Sequence, residues 1–106
     1  MAADSVYRHI VLFQFKKSAT AKQVQATTEA FKALKKEIAE IQSFEWGNQC
    51  SPEGLDQGIT HCYQMTFKNK AAFEIYLHHT KHKEFVEKHV LPIIEKPIVV
   101  DYATEK

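Results

Sequence analysis

Residues 8–16 read Arg-His-Ile-Val-Leu-Phe-Gln-Phe-Lys, and this stretch decides the fold class. It is rich in β-branched and aromatic residues, and it is too short and too apolar for a surface helix. We therefore predict a strand that lies inside a sheet, with apolar side chains on both faces. Alternation puts four side chains on one face: His9, Val11, Phe13 and Phe15. The other face carries Ile10, Leu12 and Gln14.

A long amphipathic helix is predicted directly after this strand. Thr20 and Gln23 fit a capping box, in which the two side chains bond the free amides of a first helical turn. Apolar residues then recur at steps of three, four and seven: Val24, Phe31, Leu34, Ile38 and Ile41. This spacing forms one stripe along a helix, so we expect that side of the helix to pack on the sheet.

Two further strands are predicted in the middle of the chain. Residues 43–50 indicate a second strand with a candidate bulge at Gly47, and residues 51–54 have the composition of a turn. Residues 59–67 alternate strictly, which predicts a third strand antiparallel to the second. One face of this third strand carries Ile59, His61, Tyr63, Met65 and Phe67.

The last third of the chain predicts two short helices and a strand. Asn69 is suited to cap a helix, and residues 78–80, His-His-Thr, interrupt its pattern. A further helix starts near Lys81, and Pro92 is expected to kink it or mark its last turn. Residues 98–102 then form the last strand, which begins with an apolar run.

The order β-α-β-β-α-α-β predicts an α+β fold of the ferredoxin-like type, with its second helix broken in two. Neither a linker nor a repeat divides the chain, so we interpret residues 1–106 as a single domain. Such a sheet has helices on one face only. A chain of this size has no spare element for the other face, so we expect a second copy to cover it in a homodimer.

Composition restricts the partners of the protein. Its hydrophobic fraction of 44% and charged fraction of 25% are ordinary for a globular chain. A net charge of +1 gives no broad field for nucleic acid or for anionic lipid. Met1–Ser5 lacks the pattern of a signal peptide, and no apolar run is long enough to cross a membrane. These features favour a cytoplasmic protein, in which Cys50 and Cys62 are reduced thiols.

Several short motifs occur together in this chain. They are Arg-His-Ile-Val-Leu-Phe at 8–13, Phe-Glu-Trp-Gly at 44–47, Gly-Ile-Thr-His at 58–61, Met-Thr-Phe at 65–67, Tyr76 with His82, and Val-Val-Asp-Tyr at 99–102. In this order and spacing they resemble the stress-responsive A/B barrel domain (Dabb) family. The resemblance implies a ferredoxin-like fold whose two sheets meet in a dimer to form an α/β barrel.

Within that family the sequence is similar to the plant polyketide cyclase type. This resemblance implies a reaction without a cofactor, in a pocket between the sheet and the helices. Tyr76 and His82 match the positions that carry the acid–base work. His9 and His61 match pocket histidines, and the expected substrate-binding wall also includes Val11, Phe13 and Phe31.

The side chains at these positions suit ring closure by aldol condensation. The reaction removes a proton from a carbon between carbonyls, and a neutral imidazole is a suitable base at neutral pH. A phenol can donate a hydrogen bond to the developing oxyanion. We therefore predict that His82 is the base, that Tyr76 is its partner and the electrophile, and that His9 and His61 orient the substrate.

Other interpretations stay open from the sequence. The chain could be a non-catalytic stress-response or ligand-binding protein, in which Phe13, Phe31 or Phe85 fill the pocket and Tyr76 is a core aromatic. A weaker alternative is a cofactor-independent monooxygenase. A metal is not predicted, because a helix break separates His78 from His82 and a third ligand is lacking nearby.

One departure from the cyclase type concerns the first helix. That type presents aromatic side chains to the pocket from this helix. Here Thr27 and Thr28 stand at those places, while Phe31 is retained. Because threonine hydroxyls are polar, the sequence predicts a pocket that is more polar and of a different shape.

Overall fold

The computed structural model describes residues 5–105. Its elements are β1 (Tyr7–Phe15), α1 (Ala21–Glu37), β2 (Ser43–Asn48), β3 (His61–Phe67), α2 (Lys70–Leu77), α3 (Thr80–Phe85) and β4 (Ile94–Ala103). A π-helical turn, Val86–Val90, continues α3. The strands form one sheet in the order β2-β3-β1-β4, and every neighbouring pair is antiparallel. The predicted element order and the ferredoxin-like α+β fold are thus confirmed.

Strand β1 lies in the middle of the sheet and fixes the register of its neighbours. His9 lies opposite Met65 on β3 and opposite Asp101 on β4. Side chains of opposed residues share a face, so these three point to the same side of the sheet. The helices cover this side, which contains the buried strand residues Val11, Phe13, Tyr63, Met65 and Phe67. The predicted parity of β1 and β3 is therefore right.

The start of α1 is confirmed, but its predicted length is not. The Gln23 amide donates to the Thr20 hydroxyl at 3.1 Å, and the Thr20 amide donates to the Gln23 side chain at 2.9 Å. The helix ends at Glu37, because Ile38 takes an extended conformation while its amide still bonds Leu34. Ile38 and Ile41 nevertheless remain in the core. The apolar stripe predicted their burial correctly and their helical state wrongly.

Two strand predictions also need correction. Gly47 pairs regularly with Cys62, so β2 has no bulge there. The register shifts instead between β1 and β4, where Gln14 and Phe15 face Lys96 and Ile94 and Glu95 of β4 is the extra residue. Strand β4 begins at Ile94 rather than at residue 98, and it contains Pro97. A proline has no amide to donate, but β4 is an edge strand and needs no partner on its outer side.

The predicted break after α2 is confirmed. The Ala72 amide donates to Asn69 at 2.9 Å, which caps the start of α2. The Lys81 amide donates to Nδ1 of His79 at 3.0 Å, which caps the start of α3. Pro92 lies in the turn that follows the π-helical segment. The chain therefore changes direction between α2 and α3, and this bend positions the side chains of the site.

The face of the sheet away from the helices is open, and apolar side chains lie on it beside polar ones such as Arg8 and Gln64. Ile10, Leu12 and Ile98 are partly exposed there, Val100 is 51% exposed and Tyr102 is 48% exposed. The radius of gyration is 14.3 Å, whereas a compact chain of this length is expected near 13 Å. The chain therefore forms two layers, the helices and the sheet, and the outer face of the sheet is uncovered. Among residues 5–105, no helix is long and apolar enough to cross a membrane.

Substitutions at the three glycines test the backbone of the loop before β3, in which Gly54 and Gly58 lie. Gly58 has a φ of +85°, and an added Cβ would lie 2.6 Å from Nε2 of Gln14. We expect Gly58→Ala to lower the free energy of unfolding by about 1 to 2 kcal/mol, mainly through backbone strain, because the crowding atoms belong to the flexible end of the Gln14 side chain. Gly54 has a φ of +74° in open space, so Gly54→Ala should cost about 1 kcal/mol from strain alone.

Gly47→Ala is the matched control for this prediction. Gly47 is not in a positive-φ conformation, and an added Cβ would meet nothing within 4 Å. Urea denaturation of the three variants gives the three free energies of unfolding. Equal losses at Gly58 and Gly47 would contradict the explanation from strain and crowding.

Candidate functional site

A cavity of about 390 Å³ lies between the helices and the central strand. Its polar end contains His9, Tyr76, His82 and Asp101. Its apolar wall includes Val11, Phe13, Phe31, Phe85, Val86 and Val90. The phenylalanines line this space without filling it, and the volume is within the range of small-molecule pockets. Six of the seven site residues predicted from the sequence thus line one cavity.

Tyr76 and His82 face each other at the polar end. Tyr76 is near the end of α2 and His82 is in α3, so the bend between these helices brings their ring centroids to 4.5 Å. Tyr76 is fully buried, and its hydroxyl has no hydrogen-bond partner within residues 5–105. A buried hydroxyl without a partner costs free energy. Because Tyr76 lines the cavity, this hydroxyl is a candidate donor to a molecule bound there.

The main chain sets the tautomer of His82. Its Nδ1 lies 3.1 Å from the carbonyl oxygen of Leu77. Because a carbonyl oxygen only accepts, Nδ1 must carry the hydrogen, and Nε2 of the neutral ring then has a free lone pair. The ring is thus prepared to take a proton at Nε2.

Burial tunes both members of this pair toward their neutral forms. It lowers the pKa of His82 below the usual 6.5, although the bond to Leu77 acts in the opposite direction. Burial also raises the pKa of Tyr76 above its usual value, and the nearby carboxylate of Asp101 adds to the effect. At neutral pH the site therefore contains an uncharged base next to an uncharged donor.

A second polar group was missed by the sequence analysis. Nδ1 of His9 lies 2.7 Å from Oδ1 of Asp101, and the Tyr7 hydroxyl donates to Oδ2 of Asp101 at 2.9 Å. Burial lowers the pKa of His9, while the bond to Asp101 acts in the opposite direction. The carboxylate thus fixes the His9 ring, which lies 5.7 Å from Tyr76 between centroids. Asp101 could be found only from the register of β1 and β4, which the sequence does not reveal.

His61 does not line this cavity, contrary to the prediction. It lies on the expected face of β3, but at the start of the strand and opposite Phe13. Tyr63 is the next residue on this face of β3, so its ring lies between His61 and the polar end of the cavity. His61 instead stacks on Trp46, with the two rings within 4° of parallel. Parity gave the correct face, but it did not give the position along the strand.

The predicted polarity from Thr27 and Thr28 is also wrong. Oγ1 of Thr27 lies 3.0 Å from the carbonyl oxygen of His89, and Oγ1 of Thr28 lies 2.8 Å from the hydroxyl of Tyr63. Both threonines are buried, and neither lines the cavity. Since their hydroxyls are bonded inside the protein, the cavity wall next to α1 remains apolar.

Other reactive groups are scattered over the chain. Cys50 and Cys62 are free thiols. Within residues 5–105, no group of three or more His, Cys, Asp or Glu side chains is arranged to hold a metal ion. The polar groups of the cavity itself are imidazole, phenol and carboxylate.

The fold and the site together define a small ferredoxin-like domain with an apolar cavity and an acid–base pair at one end. A sequence model of the Stress responsive A/B Barrel Domain (Dabb) family matches residues 7–104. The chain belongs to this family. The resemblance stated from the motifs is thus confirmed over nearly the whole chain.

Three relatives have names that describe different functions. The stress-response A/B barrel domain-containing protein HS1 of Arabidopsis thaliana is 32% identical, over 94% of this chain and 91% of its own. The structure of a hydroxynitrile lyase from Passiflora edulis has a TM-score of 0.86 and 27% identity, over 95% of this chain and 94% of its own. Olivetolic acid cyclase of Cannabis sativa is 23% identical, over 93% of this chain and 97% of its own.

Proposed function

We propose that this protein is a cofactor-independent enzyme that closes a ring in a polyketide by aldol condensation, with His82 as base and Tyr76 as hydrogen-bond donor. One observation carries the proposal. The buried Tyr76 hydroxyl lacks a partner among the described residues, and it shares the polar end of the cavity with an imidazole whose Nε2 is free. A bound carbonyl oxygen would supply the missing partner.

These two side chains account for every proton that moves in the proposed reaction. Nε2 of His82 removes a proton from the carbon between two carbonyls, and the resulting enolate carbon attacks a second carbonyl carbon of the same chain. Tyr76 donates a hydrogen bond to the oxygen that becomes an alkoxide. The proton on His82 then returns to this alkoxide. One C–C bond forms, and the enzyme ends in its starting state.

A second candidate reaction is the cleavage of a hydroxynitrile, and the likeness to the Passiflora edulis enzyme favours it. His82 would remove the hydroxyl proton, the C–C bond to cyanide would break, and the carbonyl oxygen would accept from Tyr76. The departing cyanide would take the proton from His82. Both reactions change a C–C bond next to an oxygen, so the same pair of side chains serves either one.

The cavity indicates the kind of substrate. Its polar groups are at one end, and the rest of its wall is formed by valines and phenylalanines. A ligand with oxygen atoms at one end and an apolar aliphatic or aromatic body fits this division. A strongly charged body would lose hydration without a compensating contact.

Assays of the intact protein test the proposal. We would follow ring formation from a linear poly-β-ketone thioester and aldehyde release from mandelonitrile, together with the melting temperature in the presence of each. Ring formation supports the polyketide reaction, and aldehyde release supports the second candidate. A higher melting temperature without turnover would favour a non-catalytic ligand-binding protein. An unchanged melting temperature without turnover would contradict both reactions.

The dependence of rate on pH gives a further prediction. The base must be neutral, and burial lowers the pKa of His82, so kcat/KM should fall only below pH 6.5. The donor must stay protonated, and burial raises the pKa of Tyr76, so no loss is expected up to pH 10.0. A pH–rate profile from mildly acidic to alkaline buffer tests both limits. An acidic midpoint above 6.5 would argue against His82 as the base.

We also propose that the protein is a homodimer that buries the open face of the sheet. The support is the exposed apolar surface of the face that the helices leave uncovered, where Val100 and Tyr102 are about half exposed. Surface of this kind costs free energy in water and marks an interface. Pairing two copies face to face would give each sheet its second covering layer.

A further inference from the structure

A second cleft, of about 490 Å³, lies between the first turns of α1 and the edge strand β2. None of the described residues that line it also lines the cavity of Tyr76 and His82. Aromatic rings separate the two spaces. Tyr63 stands 4.8 Å from Phe31 on the cavity side and 6.1 Å from Trp46 on the cleft side, between ring centroids.

Small side chains on one side of the cleft explain why it exists. Trp46 points to the face of the sheet that the helices cover, so a helix would normally bury it. The chain opposite it offers the short side chains Ala19, Ala21 and Val24. They leave a gap, and Trp46 remains 43% exposed. A large apolar ring that is left accessible inside a concavity is an informative feature.

The sheet side of the cleft is a prepared aromatic surface. The rings of Trp46 and His61 are within 4° of parallel, with centroids 5.7 Å apart. Nδ1 of His61 lies 2.8 Å from the hydroxyl of Thr60, and the Phe15 ring meets its edge at 4.9 Å. These contacts fix the ring before any ligand arrives. A flat aromatic ring can therefore stack in the cleft without ordering its walls.

The charge of the cleft indicates which charge a bound aromatic ligand should carry. Of the described residues that line it, Glu29 alone has a formal charge at neutral pH, since burial lowers the pKa of His61. We propose that this cleft binds an arylalkylamine, with its flat ring stacked on Trp46 and its ammonium group paired with Glu29. This site is independent of the reaction proposed above.

The fluorescence of the protein provides a direct test, because Trp46 is the single tryptophan of the chain. We would titrate the intact protein with phenethylamine, phenethyl alcohol and hydrocinnamate, which differ mainly in charge, and follow Trp46 emission. We expect a saturable blue shift that is strongest for the amine. Its Kd should be about threefold below that of the alcohol, because exposed ion pairs contribute little. Glu29→Gln should make these two Kd values equal.

Two further variants separate the cleft from the cavity. Ala21→Phe fills the cleft and should abolish the emission shift. If Ala21→Phe lowers the melting temperature of the protein, Val24→Phe is used in its place. His82→Gln changes only the other cavity and should leave the shift intact. A saturable shift that persists in the filled variant would overturn the site, as would the lack of a saturable shift with all three probes. Equal Kd values for the three probes would overturn the assignment to an amine.

Discussion

Replacing His82 with glutamine should reduce kcat/KM at least ~100-fold, which is the usual contribution of a positioned general base. Glutamine has a similar length and can still donate to the Leu77 carbonyl, but it cannot accept a proton at neutral pH. His78→Gln is the matched control, because His78 is exposed and lies outside the cavity. Turnover of the accepted substrate is measured for both variants. Equal rates for the two would exclude His82 as the base.

Tyr76→Phe distinguishes a catalytic hydroxyl from a packing residue in the same series. The variant keeps the ring in the core and removes a buried hydroxyl that has no partner in the described chain. We expect a loss of about 100-fold in kcat/KM, as for one oxyanion donor, with a melting temperature that is unchanged or higher. A structural role alone would not combine lower activity with equal or greater stability. A lower melting temperature with full activity would assign Tyr76 to packing.

The sequence predicts what depends on local pattern. Alternation in residues 8–16 gave the side chains that share each face of β1, and the side chains at positions 20 and 23 gave the start of α1. The break after α2 followed from the residues at 78–80, and it was enough to bring Tyr76 and His82 together. Each of these features rests on residues that are close together in the sequence.

What depends on distant neighbours was not predicted. Asp101 bonds His9 only because β4 pairs with β1 in one register, and nothing local encodes that register. His61 was expected in the cavity because parity gives a face and not a distance along the strand. Thr28 was expected to add a polar group to the wall of the cavity, but its hydroxyl bonds Tyr63 across the core. The same bond holds the Tyr63 ring, which lies between His61 and the cavity.

Val100→Asp should convert the proposed homodimer into a monomer. Val100 lies on the open face, opposite Ile10 of β1, so a carboxylate there would lose its hydration against the partner sheet. In a symmetric dimer the substitution occurs twice. We expect the Kd of dimerisation to rise at least ~100-fold, or about 2.8 kcal/mol. Light scattering at several protein concentrations measures this change.

Val99→Asp is the matched control for the interface. Val99 is the preceding residue of the same strand and is exposed to a similar degree, 56% against 51%, but its side chain points to the helix side. It should leave the dimer intact, while the melting temperature of the Val100 variant falls and ceases to depend on concentration. A monomeric wild-type protein would contradict the proposed pairing, as would equal Kd values for the two variants. The contrast between adjacent valines thus tests which face of the sheet a second copy covers.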